Sequence, residues 1–211
     1  MSSSNNRILS IYNSRKNLID ILENLEYDIT EHSDFTINEI DAMFSKSQLD
    51  FLVEKKGDGD EKRKLYVRYY SSKQIRPATL SEIIEDLMDI EQILTKQDTI
   101  MIVIDEEPND TILAKIRHLY DNEGIFIVIH NINRLQYNLL KHTLVPEAHV
   151  CSPTEIETLK EKYNIVDVKK LPEISRFDPQ ALVLCLRPGD ICCFKRKSQT
   201  SMFSNFYRIC V

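Results

Sequence analysis

Apolar positions recur at helical spacing near the start of the chain, where Ile8, Ile11, Tyr12, Leu18, Ile19, Leu22 and Leu25 form one stripe with Arg15 and Lys16 beside it. The pattern predicts an amphipathic helix preceded by frayed serines. A second, short helix is expected through Ile37, Ile40, Met43 and Phe44, because Thr36 and Glu39 have the spacing of a reciprocal capping box. Leu49 to Val53 and Leu65 to Tyr70 are instead rich in β-branched and aromatic residues, with Gly57-Asp58-Gly59-Asp60 between them. This reads as a hairpin with a long charged loop. Thr79 and Glu82 repeat the capping spacing ahead of Ile83, Ile84, Leu87, Ile90, Ile93 and Leu94, which predicts about four turns of one-faced helix.

The most informative stretch follows. Ile100 to Ile104 is continuously aliphatic, Asp110 is placed to cap a helix carrying Ile112, Leu113, Ile116 and Leu119, and Gly124 ends that helix before Ile125 to Ile129. Strands apolar on both faces and joined by a helix indicate a βαβ unit in a covered parallel sheet, so the N-terminal part is expected to be α/β. Beyond Leu144-Val145-Pro146-Glu147 the pattern changes. Ser152-Pro153-Thr154-Glu155 combines a capping serine, a proline at the first helical position and a reciprocal glutamate, so a helix is expected through Ile156, Leu159 and Tyr163, closed by Asn164. Asp178-Pro179 starts a short helix through Ala181 to Leu184 by the same logic. Pro188-Gly189 suits the centre of a type II turn leading into two strands, Ile191 to Phe194 and Phe206 to Cys210. This part is expected to be a small α+β domain.

Charge divides the chain at a similar place. Residues 1 to 140 hold 16 Lys and Arg against 25 Asp and Glu, whereas residues 141 to 211 hold 11 against 8. The expected domains are 1–143 and 144–211, within the range that 211 residues allow. An acidic chain is not expected to bind nucleic acid tightly alone, since that affinity comes mainly from Lys and Arg neutralising phosphates. Seven prolines and four glycines are too few for a low-complexity chain or for a phosphate-binding glycine loop. The longest aliphatic run is far short of the roughly 20 residues that cross a bilayer, so no membrane partner is expected. The first residues lack the pattern of a secretory signal. A reducing compartment is the default, and five cysteines fit it: the number is odd, none lie in Cys-x-x-Cys, and Cys192 and Cys193 would point to opposite faces of a strand.

Residue constellations offer little catalysis. Asp50 with Glu54-Lys55-Lys56 has the residue types of a metal-dependent nuclease, but Glu54 opens the most charged loop, where charge runs are ordinarily solvated. His142, His149 and Cys151 provide three of the four ligands a structural zinc site usually needs, without a second pair. There is no Gly-x-Ser-x-Gly and no cysteine with a local signature of activation. Neither a cofactor nor a small-molecule substrate is expected. Lys195-Arg196-Lys197, with Arg187 and Arg208, forms a basic patch interleaved with Phe194, Phe206 and Tyr207. Such a patch serves RNA stacking or a protein interface equally well.

A longer ordered set carries a resemblance. Leu144-Val145-Pro146-Glu147, His149-Val150, Tyr163, Leu171-Pro172, Ile174, Asp178-Pro179, Ala181, Arg187-Pro188-Gly189-Asp190, Arg196, Ser198, Thr200 and Tyr207-Arg208 together resemble the fifth subunit of eukaryotic DNA-directed RNA polymerases, a family that has an archaeal relative. Arg15-Lys16, Thr111, Ala114-Lys115, Asn138 and His142 look like positions of that family's N-terminal jaw. The match is imperfect where the family's Arg-Pro-Ser-Glu-Thr-Ala reads Arg196-Lys197-Ser198-Gln199-Thr200-Ser201, a following glycine is Met202, and a proline beside Thr111 is Ile112. These departures suggest a divergent member, from a large DNA virus or a protist.

The resemblance implies a noncatalytic polymerase subunit with an α/β jaw domain and an assembly domain. The assembly domain would dock on the largest subunit, among other polymerase subunits, while the jaw extends towards downstream duplex DNA. Leu144, Val145, Pro146, Glu147, Arg187, Pro188, Gly189, Asp190, Arg196, Ser198, Thr200, Tyr207 and Arg208 are then the expected partner-binding residues. Thr111, Lys115 and His118 share a helix face with Arg117 at its edge, and are expected near DNA in a weak, sequence-independent contact. An adaptor for polymerase or chaperone assembly is the second reading, and the nuclease the third. The expected location is the nucleus of a cellular host, or the host cytoplasm, viral factory or virion for a virus; secretion is not expected.

Overall fold

The computed structural model describes residues 2–56, 63–70 and 75–211, so the charged loop around Gly57 to Asp60 lies outside the described residues. Two compact units divide between Asn138 and Leu139. Both are mixed α and β.

The N-terminal unit is built on a four-stranded sheet of order β1-β2-β3-β4, with β1 at Phe51–Glu54, β2 at Lys64–Tyr70, β3 at Thr99–Ile104 and β4 at Phe126–Asn131. β1 and β2 pair antiparallel as the hairpin pattern requires, and β2, β3 and β4 are mutually parallel. Every residue of β3 and β4 is buried, which is why the two runs read as unbroken hydrophobics. Helix α1 (Ser2–Asn24) begins at the serines expected to be frayed; α2 is Ile37–Ser45, α3 Pro77–Glu85 and α4 Asp110–Glu123. The Thr36 and Glu39 capping box forms in both directions. Gly124 closes α4 in the left-handed region, at φ 75°, a conformation that costs a glycine nothing.

Four local expectations fail for identifiable reasons. Thr79 does not cap α3: the cap is Arg76, and Pro77, which lacks an N–H, occupies the first helical position. After Glu85 the helix widens into a π-helical turn, Asp86–Ile90, whose extra residue per turn rotates Ile90 outwards to 73% exposure. Asn109, not Asp110, caps α4 by accepting from the Ile112 N–H, and Asp110 is the first helical residue. Arg15 does not flank the apolar stripe but lies inside the core at 1% exposure. Its guanidinium sits over the rings of Phe35 (5.2 Å) and Phe51 (4.4 Å), and its Nη1 donates to the Leu49 carbonyl at 2.7 Å. Two aromatic faces thus accommodate a cation that burial alone disfavours.

The C-terminal unit has a second four-stranded sheet of order β5-β7-β8-β6. β5 is Glu147–Val150, β6 Glu173–Ile174, β7 Ile191–Ser198 and β8 Met202–Cys210. Helices α5 (Pro153–Tyr163) and α6 (Pro179–Val183) start at Ser152 and Asp178 as read from the sequence, and Asn164 closes α5 in the left-handed region. Gly189 turns the chain into β7 at φ 95°, with the Asp190 N–H donating to the Arg187 carbonyl. One face of β7 and β8 buries Cys193, Ile191 and Ile209 with Cys151 and Leu159, against Ile156 and Tyr207. Cys192, Phe194 and Cys210 alternate with them and are buried as well, so the adjacent cysteines do face opposite ways; all five are free thiols.

The β7–β8 hairpin runs further than its expected apolar segments. Eight residue pairs continue from Ile191 opposite Ile209 to Ser198 opposite Met202. Its outer half carries Lys195-Arg196-Lys197 and Ser204-Asn205, all exposed, and therefore lacks the alternation by which a half-buried strand is recognised.

Candidate functional site

The outer half of the hairpin, with the segment leading into β5, forms a groove of about 600 Å³ in the C-terminal unit. Leu140, His142 and Thr143 to Glu147 line one side; Lys195, Arg196, Lys197 and Phe203 line the other, with Gln180 contributing from α6. Pro146 and the turn bond from the Val145 N–H to the His142 carbonyl hold Leu144 outwards at 85% exposure. Met202 and Phe203 are exposed at 78% and 49%. Single exposed apolar residues are ordinary, but Leu144 and Phe203 lining one basic groove, with Met202 next to Phe203 in the chain, give it the mixed apolar and charged surface of a protein interface.

Electrostatics favour an acidic occupant. Lys195 sits over the Phe203 ring at 5.0 Å and pairs with Glu147 at 3.3 Å, an exposed pair of small energetic weight. Arg196 stacks on Phe206 at 4.3 Å, and Arg208 lies over the same ring at 5.3 Å while its Nη1 donates to the Glu173 carbonyl. Glu147 is the only carboxylate lining the groove among the described residues, against three cations. The Nε2 of Gln180 is buried and without a hydrogen-bond partner among the described residues, a donor left for an occupant.

Of the expected partner residues, Leu144, Val145, Pro146, Glu147 and Arg196 converge here. Ser198 and Thr200 sit at the hairpin tip, where the Ser198 hydroxyl accepts from the N–H groups of Thr200 and Ser201. Arg208 joins Arg196 through Phe206. Tyr207 points to the other face, edge-on to Tyr163 at 6.4 Å over the core. Arg187, Pro188, Gly189 and Asp190 form the turn before β7, at the far end of that strand from Ser198. Gln180, Lys195, Lys197 and Phe203 are not among the partner residues that the resemblance implies; the lysines are legible as part of the basic patch, but nothing in sequence marks a glutamine on a short helix.

On α4, Thr111, Arg117 and His118 are exposed, whereas Lys115 is half-buried in a cleft with Glu85, Asp89 and Glu123. The acidic loop before α4 is partly neutralised, since Arg7 pairs with Asp105 at 2.8 Å and Arg134 with Glu107 at 2.9 Å. The nuclease set does not converge: Asp50 accepts from the Tyr69 N–H and lies 3.8 Å from Arg68, while Glu54 faces Lys64 at the end of β1. Of the zinc set, His149 and Cys151 come together with Glu155, their ligand atoms within 4.8 Å of one another, and His142 is not among them. Glu155 is engaged in the capping box, its carboxyl held below the usual range by the Ser152 N–H and by His149. Burial pushes the Cys151 thiol up to about 12.

A family model described as RNA polymerase Rpb5, C-terminal domain, matches residues 137–210. DNA-directed RNA polymerase subunit Rpo5 of Thermococcus kodakarensis is 40% identical over 76 residues, covering 36% of this chain and 92% of that protein. Subunit Rpo5 of Pyrococcus abyssi is 42% identical over 76 residues, with the same coverage. The chain belongs to the RNA polymerase subunit 5 family. Rpo5 of Archaeoglobus fulgidus is matched over its whole length at 39% identity, covering 36% of this chain. The groove lies wholly inside the span matched by the family model.

Proposed function

We propose that the chain is a noncatalytic subunit of a multisubunit DNA-directed RNA polymerase that docks on the largest subunit through its C-terminal groove. The groove carries this reading: it lies in the family-matched span and is apolar and basic at once. It also leaves a buried amide donor unpaired. A surface of this kind stabilises a complex when it is covered and contributes nothing to the free chain. The N-terminal unit, with Thr111, Lys115, Arg117 and His118 as its DNA-proximal residues, extends towards downstream DNA in this reading. The assembly domain starts near residue 144, and the protein acts wherever that polymerase works, in a nucleus or a viral factory. No residue of the chain takes part in nucleotide addition.

The test is reconstitution of the polymerase with the full chain carrying Lys195→Glu, Arg196→Glu and Lys197→Glu together. These side chains are exposed and outside the core, and thermal unfolding checks that the variant is folded; incorporation is expected to fall by an order of magnitude or more, on the order expected for reversing a charged interface. Normal incorporation of the triple variant would reject the groove as the docking site.

A further inference from the structure

We propose that the groove takes an extended acidic segment of another polymerase subunit, which adds as a strand to the open edge of β7; this rests on the docking role proposed above. The backbone ladder supplies the reason. Residues on β7 alternate in the direction their peptide groups face. The Asp190 and Cys210 pair, joined by the bond from the Cys210 N–H to the Asp190 carbonyl, sets even-numbered residues towards β8. The bond from the Cys151 N–H to the Ile191 carbonyl sets odd-numbered residues towards β5. β5 stops at Glu147, opposite Lys195. The next odd-numbered residue is Lys197, and its peptide groups face an edge with no strand beside it among the described residues.

The chain itself does not fill that edge. Continuing β5 backwards would put Val145 opposite Lys197, but the Val145 N–H is spent on the His142 carbonyl. An incoming strand would find the Lys197 N–H and C=O, with the Gln180 Nε2 as a further donor. Its side chains would alternate between the face of Lys195, Lys197 and Phe203 and the face of Arg196. Carboxylates are the complement of that surface, and an apolar residue is the complement of Leu144 and Phe203. A second copy of this chain is a poor occupant, because pairing β7 edges would set Lys195-Arg196-Lys197 against its own like charges.

Lys197→Pro tests the backbone pairing separately from the charge. It removes the N–H that faces the open edge and no ladder bond to β8, and proline is tolerated at such edge positions. Lys197→Ala removes the charge alone. In competition with the unaltered chain for reconstitution into polymerase, Lys197→Pro is expected to be about tenfold weaker and Lys197→Ala less than about threefold, as for one lost interfacial hydrogen bond against one exposed charge. Thermal unfolding of the Lys197→Pro chain checks that it is folded. The Lys197 amide of the unaltered chain gives a second reading: its hydrogen exchange should slow on assembly. Equal competition by the two variants, or unchanged exchange of that amide, overturns strand addition while the triple charge reversal still blocks docking. Normal docking of the triple reversal overturns both.

Discussion

The two sheets of this protein are finished to different degrees. In the N-terminal unit β3 and β4 are buried along their whole length, and their unbroken apolar runs are those of a core. In the C-terminal unit β7 is buried over its first four residues, and exposed from Lys195 until the half-buried Ser198 at the tip. The hydrophobic effect accounts for β3 and β4 of the first sheet entirely, since water is removed from both faces. It accounts for half of the second. The remaining half is held by cross-strand contacts among Arg196, Phe206, Lys195 and Phe203, and is left as a surface. A sheet that is complete within its own unit supports the fold; a sheet that overruns its helices has a face to offer.

Substitution at matched positions sharpens the contrast most. Met101→Ala, at a fully buried site of β3, is expected to cost about 2–5 kcal/mol of stability, whereas Phe203→Ala should stay within about 0.5 kcal/mol and instead weaken incorporation into polymerase. Denaturant titration of both chains measures the first quantity. A Phe203→Ala cost equal to that of Met101→Ala would mean the outer hairpin is core after all.

Alkaline pH should separate the units next. Every cysteine lies in the C-terminal unit, where burial pushes Cys151 and Cys192 up to about 12 and Cys210 up to about 11. A thiol raised in the folded state stabilises it below the unfolded value of about 8.5, and that contribution is lost as pH rises towards the folded one. Stability of the C-terminal unit should therefore fall from about pH 8.5. The N-terminal unit should hold until tyrosines ionise in the unfolded chain near pH 10, Tyr66 and Tyr69 being raised to about 12. Exchange of amides in each unit at about pH 8 and about pH 9.5, on either side of the unfolded thiol value, reads the difference; equal loss in both would contradict it.

A smaller effect is expected from Ser152→Ala, which removes the hydroxyl half of the α5 capping box and should cost about 1 kcal/mol. Thermal unfolding measures it. The smallest concerns DNA. Arg117→Ala with Lys115→Ala should lower the salt slope of the elongation complex by about one or two at most, since each lost phosphate contact contributes roughly one. Lys115, enclosed by Glu85, Asp89 and Glu123, should account for less of this than exposed Arg117. An unchanged slope would leave α4 with no phosphate contact.

Much of the fold is legible in the residues, for local reasons. The capping boxes at Thr36 and Ser152, the glycine stop at Gly124 and the βαβ unit all depend on short-range chemistry, and all form. The failures depend on what a linear pattern does not encode. Helical spacing assumes a constant pitch, so a π-turn puts Ile90 on the wrong side. Charge normally marks a surface, so a cation enclosed by Phe35 and Phe51 reads as exposed. At the candidate site, Leu144 to Glu147 and Arg196 are legible through the family resemblance. The open edge at Lys197 is not, because it follows from where β5 stops and not from any residue's identity. Gln180 belongs to the same class, its relevance coming from an unpaired buried nitrogen.

In the proposed reading the overrunning end of the C-terminal sheet is the docking surface. A photoreactive amino acid placed singly at Leu144, Met202 or Val166, each strongly exposed, tests it directly in the assembled polymerase. Crosslinks to another polymerase subunit are expected from Leu144, which lines the groove, and from Met202, next to the lining residue Phe203, and none from Val166, which follows α5 outside it. Crosslinks from Val166 with none from Leu144 or Met202 would put the docking surface elsewhere on the chain.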